Sequence, residues 1–593
     1  LPDADAMTAE DPFAHLHDED YAAWLAARRA TAATLVNPHG RQARSLDGIW
    51  RLTLDPFEEG LRQRWHAYDD APARDWTLPR DWEWQAGEPA PVPGCWTMLR
   101  PELTHYEGAA WYARDFDADA PGDEAVLLHF GAAAQRAEVF LNGVHLGGHL
   151  GGSTPFTLDA TAVLRAGRNR LMMMVENARR PERVPMHHFD WFNHGGLHRS
   201  VGLLRLPRVH VRRFAAWLEG GGIRVRVHLS APAESPAEFR IPSLGITARV
   251  PVTADVGEAW IAATPPLWSP ADPVLHDVEL RHGAEILRDR IGFRTLRTDG
   301  TRILLNGEDL QLLGACVHED DVATGRVSDA ADIARRIAHA KELGANFLRL
   351  AHYPHDERVA RACDEAGLLL WAEIPVYWAI DFANPATFAD ARNQLEELIA
   401  RDANRASIIL WGVGNENADT DARLAFMAGL AAAARAADPS RLVTAACLIN
   451  RAAFTIEDRL AAHLDVIGLN EYFGWYEAGF EGLERLLANS APDRPVIVSE
   501  TGADALAGLR DPIAPLFSEE RQAAFYEGQW AALRSAPYVR GFAAWLLYDF
   551  RSMRRQARPQ GGFNRKGLIA EDKTTRKLAF ATLARLFRQR LPG

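Results

Sequence analysis

Two regimes of apolar patterning divide the chain. From Leu46 to about Pro207, apolar and polar positions alternate in runs such as Ala125 to Phe130 and Ala137 to Leu141, broken by turns like Asn142-Gly143. Alternation with a period of two, punctuated by turn residues, predicts β-strands, so this stretch reads as all-β. The apolar segment Leu171 to Met174 falls within it and is expected to be a core strand. A second alternating stretch, Arg208 to Arg297, contains Gly221 to His228 and is punctuated by Pro265, Pro266, Pro270 and Pro273. Its length suits an immunoglobulin-like sandwich of about 100 residues. After Asn306-Gly307 the period changes, and short apolar runs alternate with segments apolar at i, i+3 and i+4.

Eight such runs predict strands: Leu310 to Cys316, Ala345 to Leu350, Leu368 to Ile374, Ser407 to Val413, Leu442 to Cys447, Asp465 to Asn470, Pro495 to Ser499 and Gly541 to Leu547. The first helix is predicted to start at Ser328 as N-cap, with Asp329 and Asp332 in its first turn, and to stop at Gly344. Another should begin near Pro385. Eight strand–helix alternations in under 300 residues predict a (β/α)8 barrel. No G-x-G-x-x-G follows the first strand, which argues against a doubly wound open sheet.

Composition narrows the function classes. The chain has 593 residues, 47% hydrophobic and 24% charged, which is ordinary globular usage. A net charge of −13 with no basic run excludes the electrostatic footprint of a nucleic-acid binder. The longest apolar stretches, Gly367 to Leu370 with Trp371 and Gly541 to Tyr548, are shorter than the roughly 18 residues of a membrane span. Cys95, Cys316, Cys363 and Cys447 are scattered and read as structural thiols. The chain starts at Leu1 in a polar, acidic stretch compatible with removal of a leader or with trimming, which leaves cytoplasmic, periplasmic and secreted locations open. Only Lys341, Lys566, Lys573 and Lys577 are lysines among 66 basic residues, so a retained lysine is informative.

In such a barrel the loops after the strands' C-terminal ends converge on one mouth. The residues there are His318, Glu319 and Asp320 after the first run, Arg349 and His352 at the second, Glu373 at the third and Asn415 and Glu416 after the fourth. Asn470 and Tyr472 follow the sixth, Glu500 the seventh, and Trp545 lies in the eighth. Glu416 and Glu500 are the best-placed carboxylate pair, each immediately after an apolar run. Glycoside hydrolysis needs one carboxyl to protonate the leaving oxygen and one carboxylate to attack the anomeric carbon. Arg349 and Tyr472 could keep Glu500 ionised, and Asn415 could bond a sugar hydroxyl.

These segments resemble glycoside hydrolase family 2. Trp411-Gly412-Val413-Gly414-Asn415-Glu416 is similar to the family's acid/base motif, and Val496-Ile497-Val498-Ser499-Glu500-Thr501-Gly502-Ala503-Asp504 to its nucleophile strand. Leu46-Asp47-Gly48-Ile49-Trp50, Pro93-Gly94-Cys95-Trp96 and Asn193-His194-Gly195-Gly196-Leu197-His198-Arg199 resemble its N-terminal jelly roll. Asn346-Phe347-Leu348-Arg349-Leu350-Ala351-His352-Tyr353-Pro354 resembles its second barrel strand. The resemblance implies an extension over 1–43, a sugar-binding jelly roll over 44–207, an immunoglobulin-like sandwich over 208–297 and a catalytic (β/α)8 barrel over 298–593. It implies retention, with Glu500 as nucleophile and Glu416 as acid/base, and no cofactor.

Asn470-Glu471-Tyr472-Phe473-Gly474-Trp475-Tyr476 resembles the sixth strand end of the family's β-glucuronidase branch, and Asn564-Arg565-Lys566 the Asn-x-Lys element that holds a sugar carboxylate there. The expected substrate is therefore a carbohydrate with a terminal β-linked uronic acid, cleaved from the end. A galacturonide, or a neutral galactoside for which Lys566 would have no carboxylate to meet, is the alternative. An inactive carbohydrate-binding scaffold is disfavoured, because both carboxylates are present. Asp190, in Asp190-Trp191-Phe192, resembles the loop that reaches into the barrel mouth, while His318, His352, Trp475 and Trp545 are expected to line the pocket. The chain between Ile374-Pro375 and the helix near Pro385 is short, predicting an open mouth without a long lid. Neither His187-His188 nor His318-Glu319-Asp320-Asp321 has H-E-x-x-H spacing, so no metal is expected. Homo-oligomerisation is left open.

Overall fold

A computed structural model of the chain describes residues 27–67 and 87–591; residues 1–26 of the expected extension lie outside them. The chain divides into two units, the first made of residues 42–178 and 194–208 with the segment before 39, the second of residues 39–41, 179–193 and 209–593.

In the first unit, alternation builds two antiparallel sheets. Six strands run in the spatial order Glu88–Val92, Gly48–Asp55, Ala109–Ala118, Gly167–Glu176, Arg136–Leu141, Val144–Leu150, and four in the order Ala43–Ser45, Val201–Pro207, Glu124–Phe130, Phe156–Asp159. Their shared core includes Trp50, Tyr112, Val126, Leu128, Val139 and Leu203. The methionine-bearing strand is buried on both faces: Leu171, Met173 and Val175 enter that core, whereas Met172 and Met174 pack with Trp65, Trp111 and Phe140. Thioether side chains suit this position because they adapt to both surfaces.

The second unit begins with a sandwich of two four-stranded sheets, in which Ile223, Val225, Val227 and Leu229 of one sheet face Phe239, Val278 and Leu280 of the other. Alternate residues of these strands are buried, as period-two patterning requires. A three-stranded hairpin sheet over Leu296–Asp299, Arg302–Leu305 and Glu308–Leu310 follows.

Eight parallel strands then close into a barrel: β1 Leu312–Val317, β2 Phe347–Leu350, β3 Leu369–Glu373, β4 Ile408–Asn415, β5 Leu442–Cys447, β6 Val466–Asn470, β7 Val496–Thr501 and β8 Val539–Ala544. Helices α1 Ala330–Glu342, α2 Glu357–Ala366, α3 Pro385–Asp402 and α4 Asp421–Ala437 follow the first four strands. A 3-10 turn at Arg459–His463 follows β5, and α5 Glu481–Asn489, α6 Glu519–Leu533 and α7 Leu578–Gln589 complete the ring. Strand residues split by parity. Ala315, Val317, Leu348, Leu350, Val443 and Val498 pack with helix residues, while Cys316, Phe347, Trp371, Ile409, Ile497 and Ala543 form a separate interior cluster.

Three expected boundaries are corrected. Leu310 ends the preceding hairpin and β1 starts at Leu312, with Gln311 between them bonding Leu591. The N-cap of α1 is Asp329, whose side chain accepts from the amide of Asp332, and not Ser328. β8 ends at Ala544, so Trp545 lies just beyond it. Among the described residues, no helix is long and apolar enough to cross a membrane, and all four cysteines are buried.

Candidate active site

The ends of β2, β3, β4, β6 and β7 bring five polar side chains to one place. Arg349 of β2 is fully buried, and its guanidinium is the hub. It donates to both oxygens of Glu373 at 3.1 and 3.0 Å, to Glu500 Oε1 at 2.7 Å and to Asn415 Oδ1 at 2.8 Å. The Tyr472 hydroxyl donates to Glu500 Oε2 at 2.9 Å, so each oxygen of that carboxylate has a donor. Burial pushes the Glu500 carboxyl up, to about 8; Arg349 and Tyr472 oppose this and the like charge of Glu416 adds to it. Glu373 is closed off by Arg349 and by His352 Nδ1 at 2.8 Å.

Glu416 directly follows β4 and has a left-handed backbone, φ 52°. That conformation is uncommon for a residue with a side chain and turns its carboxylate away from the strand direction. Asn470 Nδ2 donates to Glu416 Oε1 at 3.0 Å, and Trp378 Nε1 donates to Oε2 at 2.7 Å. Asn470 is itself fixed by the Ser499 hydroxyl at 2.7 Å. The side-chain nitrogen Nδ2 of Asn415 is buried without a partner. Gly412 is required beside this cluster, because a Cβ there would lie 2.2 Å from Trp371 Nε1 and 2.6 Å from Glu373.

A second group of charges follows β7 and β8. Lys566 is buried and its ammonium donates to Asp504 Oδ2 at 2.5 Å and to the Tyr476 hydroxyl at 2.9 Å. Burial alone would raise Asp504, but the Lys566 charge, together with hydrogen bonds from Lys566 and Gln560 and the Arg555 charge, holds that carboxyl below the usual range. Asn564 Oδ1 accepts from the Lys566 amide, and its Nδ2 is buried without a partner. Arg555 pairs with Asp190 and donates to Tyr476, and Ser552 also donates to Asp190. Both Asp190 oxygens are therefore engaged by protein donors. Trp475 and Tyr476 lie around the ammonium, with ring centroids 5.6 and 4.9 Å from Nζ.

Aromatic rings surround the cluster. Trp191 lies 5.9 Å from His318, 5.8 Å from His352 and 5.1 Å from Tyr377. His352 stacks on Trp545 at 5.0 Å, and His318 stacks on Phe550 at 4.2 Å. Burial depresses both imidazoles well below the usual histidine range, so they are neutral donors or acceptors. Among the described residues, no three His, Cys, Asp or Glu side chains converge as metal ligands. Sequence reasoning assigned no role to Asp504, Tyr476, Arg555 or Glu373. Asp504 lies inside the quoted nucleophile-strand segment; Arg555 carries no local signal.

Glu471 backs the Tyr472 to Tyr476 loop. Its Oε2 accepts from the Phe473 amide at 3.0 Å and from Gln529 Nε2 at 3.1 Å, while the same Gln529 nitrogen donates to the Phe473 carbonyl at 2.8 Å. Burial raises this carboxyl to about 7. A raised folded value costs nothing while both states are protonated, and the cost grows from the unfolded value of 4.5 to about 7. Glu471→Gln should therefore raise the melting temperature at pH 8 but not near pH 4.5, by a margin equivalent to about 3 kcal/mol at most. A gain of equal size at both pH values would contradict this.

The geometry fits a family. Residues 43–207 match the sugar binding domain of glycosyl hydrolases family 2, and residues 296–588 match its TIM barrel domain. The chain belongs to glycosyl hydrolase family 2 and is a glycoside hydrolase. It is 29% identical to a beta-glucuronidase of Paenibacillus borealis over 601 residues, spanning 93% of this chain and 97% of that one. A beta-glucuronidase of Rattus norvegicus is 26% identical over 613 residues, spanning 92% and 91%. The solved structure of Ruminococcus gnavus β-glucuronidase in complex with D-glucaro-d-lactam aligns with a TM-score of 0.82 at 27% identity, covering 94% of this chain and all of that one.

Proposed function

We propose that this enzyme is a retaining, exo-acting β-glucuronidase. The observation that carries the reading is the Lys566 ammonium, buried beside Asn564, in the same barrel mouth as the Glu416 and Glu500 carboxylates. A compact cation and an amide with a free N–H suit a sugar carboxylate. The two unpartnered amides, Asn415 Nδ2 and Asn564 Nδ2, are explained as donors that a bound sugar satisfies. Curated relatives named beta-glucuronidase at full length support the same reading. Comparing chromogenic β-glucuronide, β-galacturonide and β-galactoside tests it; preference for either of the latter two would overturn the glucuronide assignment.

In this reading Glu500 attacks the anomeric carbon while Glu416 protonates the departing oxygen; Glu416 then deprotonates the water that releases the sugar. Trp545 and His352 line the sugar, and Asn415 bonds a hydroxyl beside the reacting carbon. Arg349 and Tyr472 are positioning residues whose donors favour the ionised form of Glu500 against its burial. Glu416→Ala should lose about 100-fold to 10000-fold on poor leaving groups and far less on activated phenols. Azide should rescue its turnover. A variant with equal losses across leaving groups and no azide adduct would assign the proton elsewhere.

A further inference from the structure

The arginines at the mouth are not equivalent. In the segment 551–558, Arg551 pairs with Asp320 at 3.2 Å and Arg555 pairs with Asp190. Arg554, between them, is exposed and has no acidic partner within 4.0 Å among the described residues. Its guanidinium lies over the indole of Trp378, 4.4 Å from the ring centroid. That indole is the one that donates to Glu416. Trp378 is also fixed through its backbone: its amide donates to the Asn415 carbonyl at 2.8 Å, and its own carbonyl accepts from Asn417 Nδ2 at 2.9 Å. One indole width therefore separates an uncompensated cation from the carboxyl assigned to protonate the leaving oxygen.

The leaving group must pass Glu416, because that residue protonates it. Whatever is attached at the glycosidic oxygen emerges beside Trp378 and under Arg554. On the sugar side, Lys566 and Arg555 are each matched by an aspartate, whereas Arg554 faces outward unmatched in a protein of net charge −13. A planar guanidinium held over an indole keeps N–H donors available to a sulfate or carboxylate. We propose that Arg554 and Trp378 form the leaving-group subsite and select substrates in which the unit joined to the scissile bond carries an anionic group, as in an acidic oligosaccharide or a sulfated aryl aglycone. This rests on the assignment of Glu416 as acid/base.

The test uses the full-length enzyme and three aryl β-glucuronides matched in phenol acidity, one neutral, one sulfonated and one carboxylated. The wild type should favour both anionic aglycones about three- to tenfold in kcat/KM, and ~0.5 M salt should erode the preference. Arg554→Ala should remove that preference, lowering the neutral substrate less than the anionic ones. Arg554→Glu should invert it, and Arg554→Lys should retain part of it. A preference for only one of the anionic pair would narrow the subsite to sulfate or to carboxylate. Equal loss on all three substrates would mean that Arg554 only props Trp378, and an unchanged ratio in Arg554→Ala would remove it from the subsite; either overturns the proposal. If the enzyme cleaves a galacturonide or galactoside instead, the same aglycones on that sugar give the same readout, so failure of the sugar assignment is distinguishable. Melting temperatures of the variants separate misfolding from lost selectivity.

Discussion

Replacing Glu500 by alanine is expected to lower kcat by a factor on the order of 10^4 to 10^6, with little change in melting temperature. The catalytic loss follows because no other carboxylate can take over the attack. Glu373 is the nearest alternative through Arg349, but the Arg349 fork and His352 Nδ1 occupy its oxygens. Glu416 is held from the other side by Asn470 and Trp378. Stability should survive because Arg349 keeps its two bonds to Glu373 after Glu500 is removed, so no buried charge is left bare. A 2-fluoro glucuronide carrying an activated leaving group should trap a covalent adduct on Glu500 in the wild type, read by peptide mass. The first product seen by NMR should retain the β configuration. A label on Glu373 or Glu416, or an inverted first product, would overturn the assignment.

Legibility in the sequence followed the range of the interaction. Parallel strands buried on both faces read as short continuous apolar runs, so all eight barrel strands lie where such runs occur. Their ends are less visible. Leu546 and Leu547 beyond β8 are fully buried, and their amides bond Lys566 and Cys316, so hydropathy continues past the point where the strand stops. Ser328 and Asp329 are both good caps, and only the backbone decides between them. Glu416, Glu500 and Lys566 could be named from motifs, but their partners could not. Asp190 and Arg555 are 365 residues apart, and nothing local in either segment marks the pair. The bond from Trp378 to Glu416 joins two residues with left-handed backbones at φ 54° and 52°, a conformation that neither residue type advertises.

Lys566→Ala is expected to cost about 30-fold to several thousand-fold in kcat/KM on a glucuronide, the range for removing one member of a desolvated charge pair. The Asp504 contact sharpens this expectation. Without the ammonium, Asp504 faces the sugar carboxylate directly, so repulsion adds to the lost attraction. The same buried aspartate loses its lysine counter-charge and keeps only the bonds from Gln560 and the Arg565 amide, a change that costs about 3 to 5 kcal/mol in comparable sites and should lower the melting temperature. The two effects separate in the double variant Lys566→Ala with Asp504→Asn, which should recover much of the stability without recovering uronide turnover. Activity on the matching neutral glycoside should fall much less than on the uronide, because that sugar has no charge to lose. Lys566→Arg should restore little, since a planar fork is larger than an ammonium and would have to fit among Tyr476, Trp475 and Asp504. If Lys566→Ala reduces charged and neutral substrates equally, and the double variant recovers both, the lysine serves the fold and the uronic acid must be recognised by other groups.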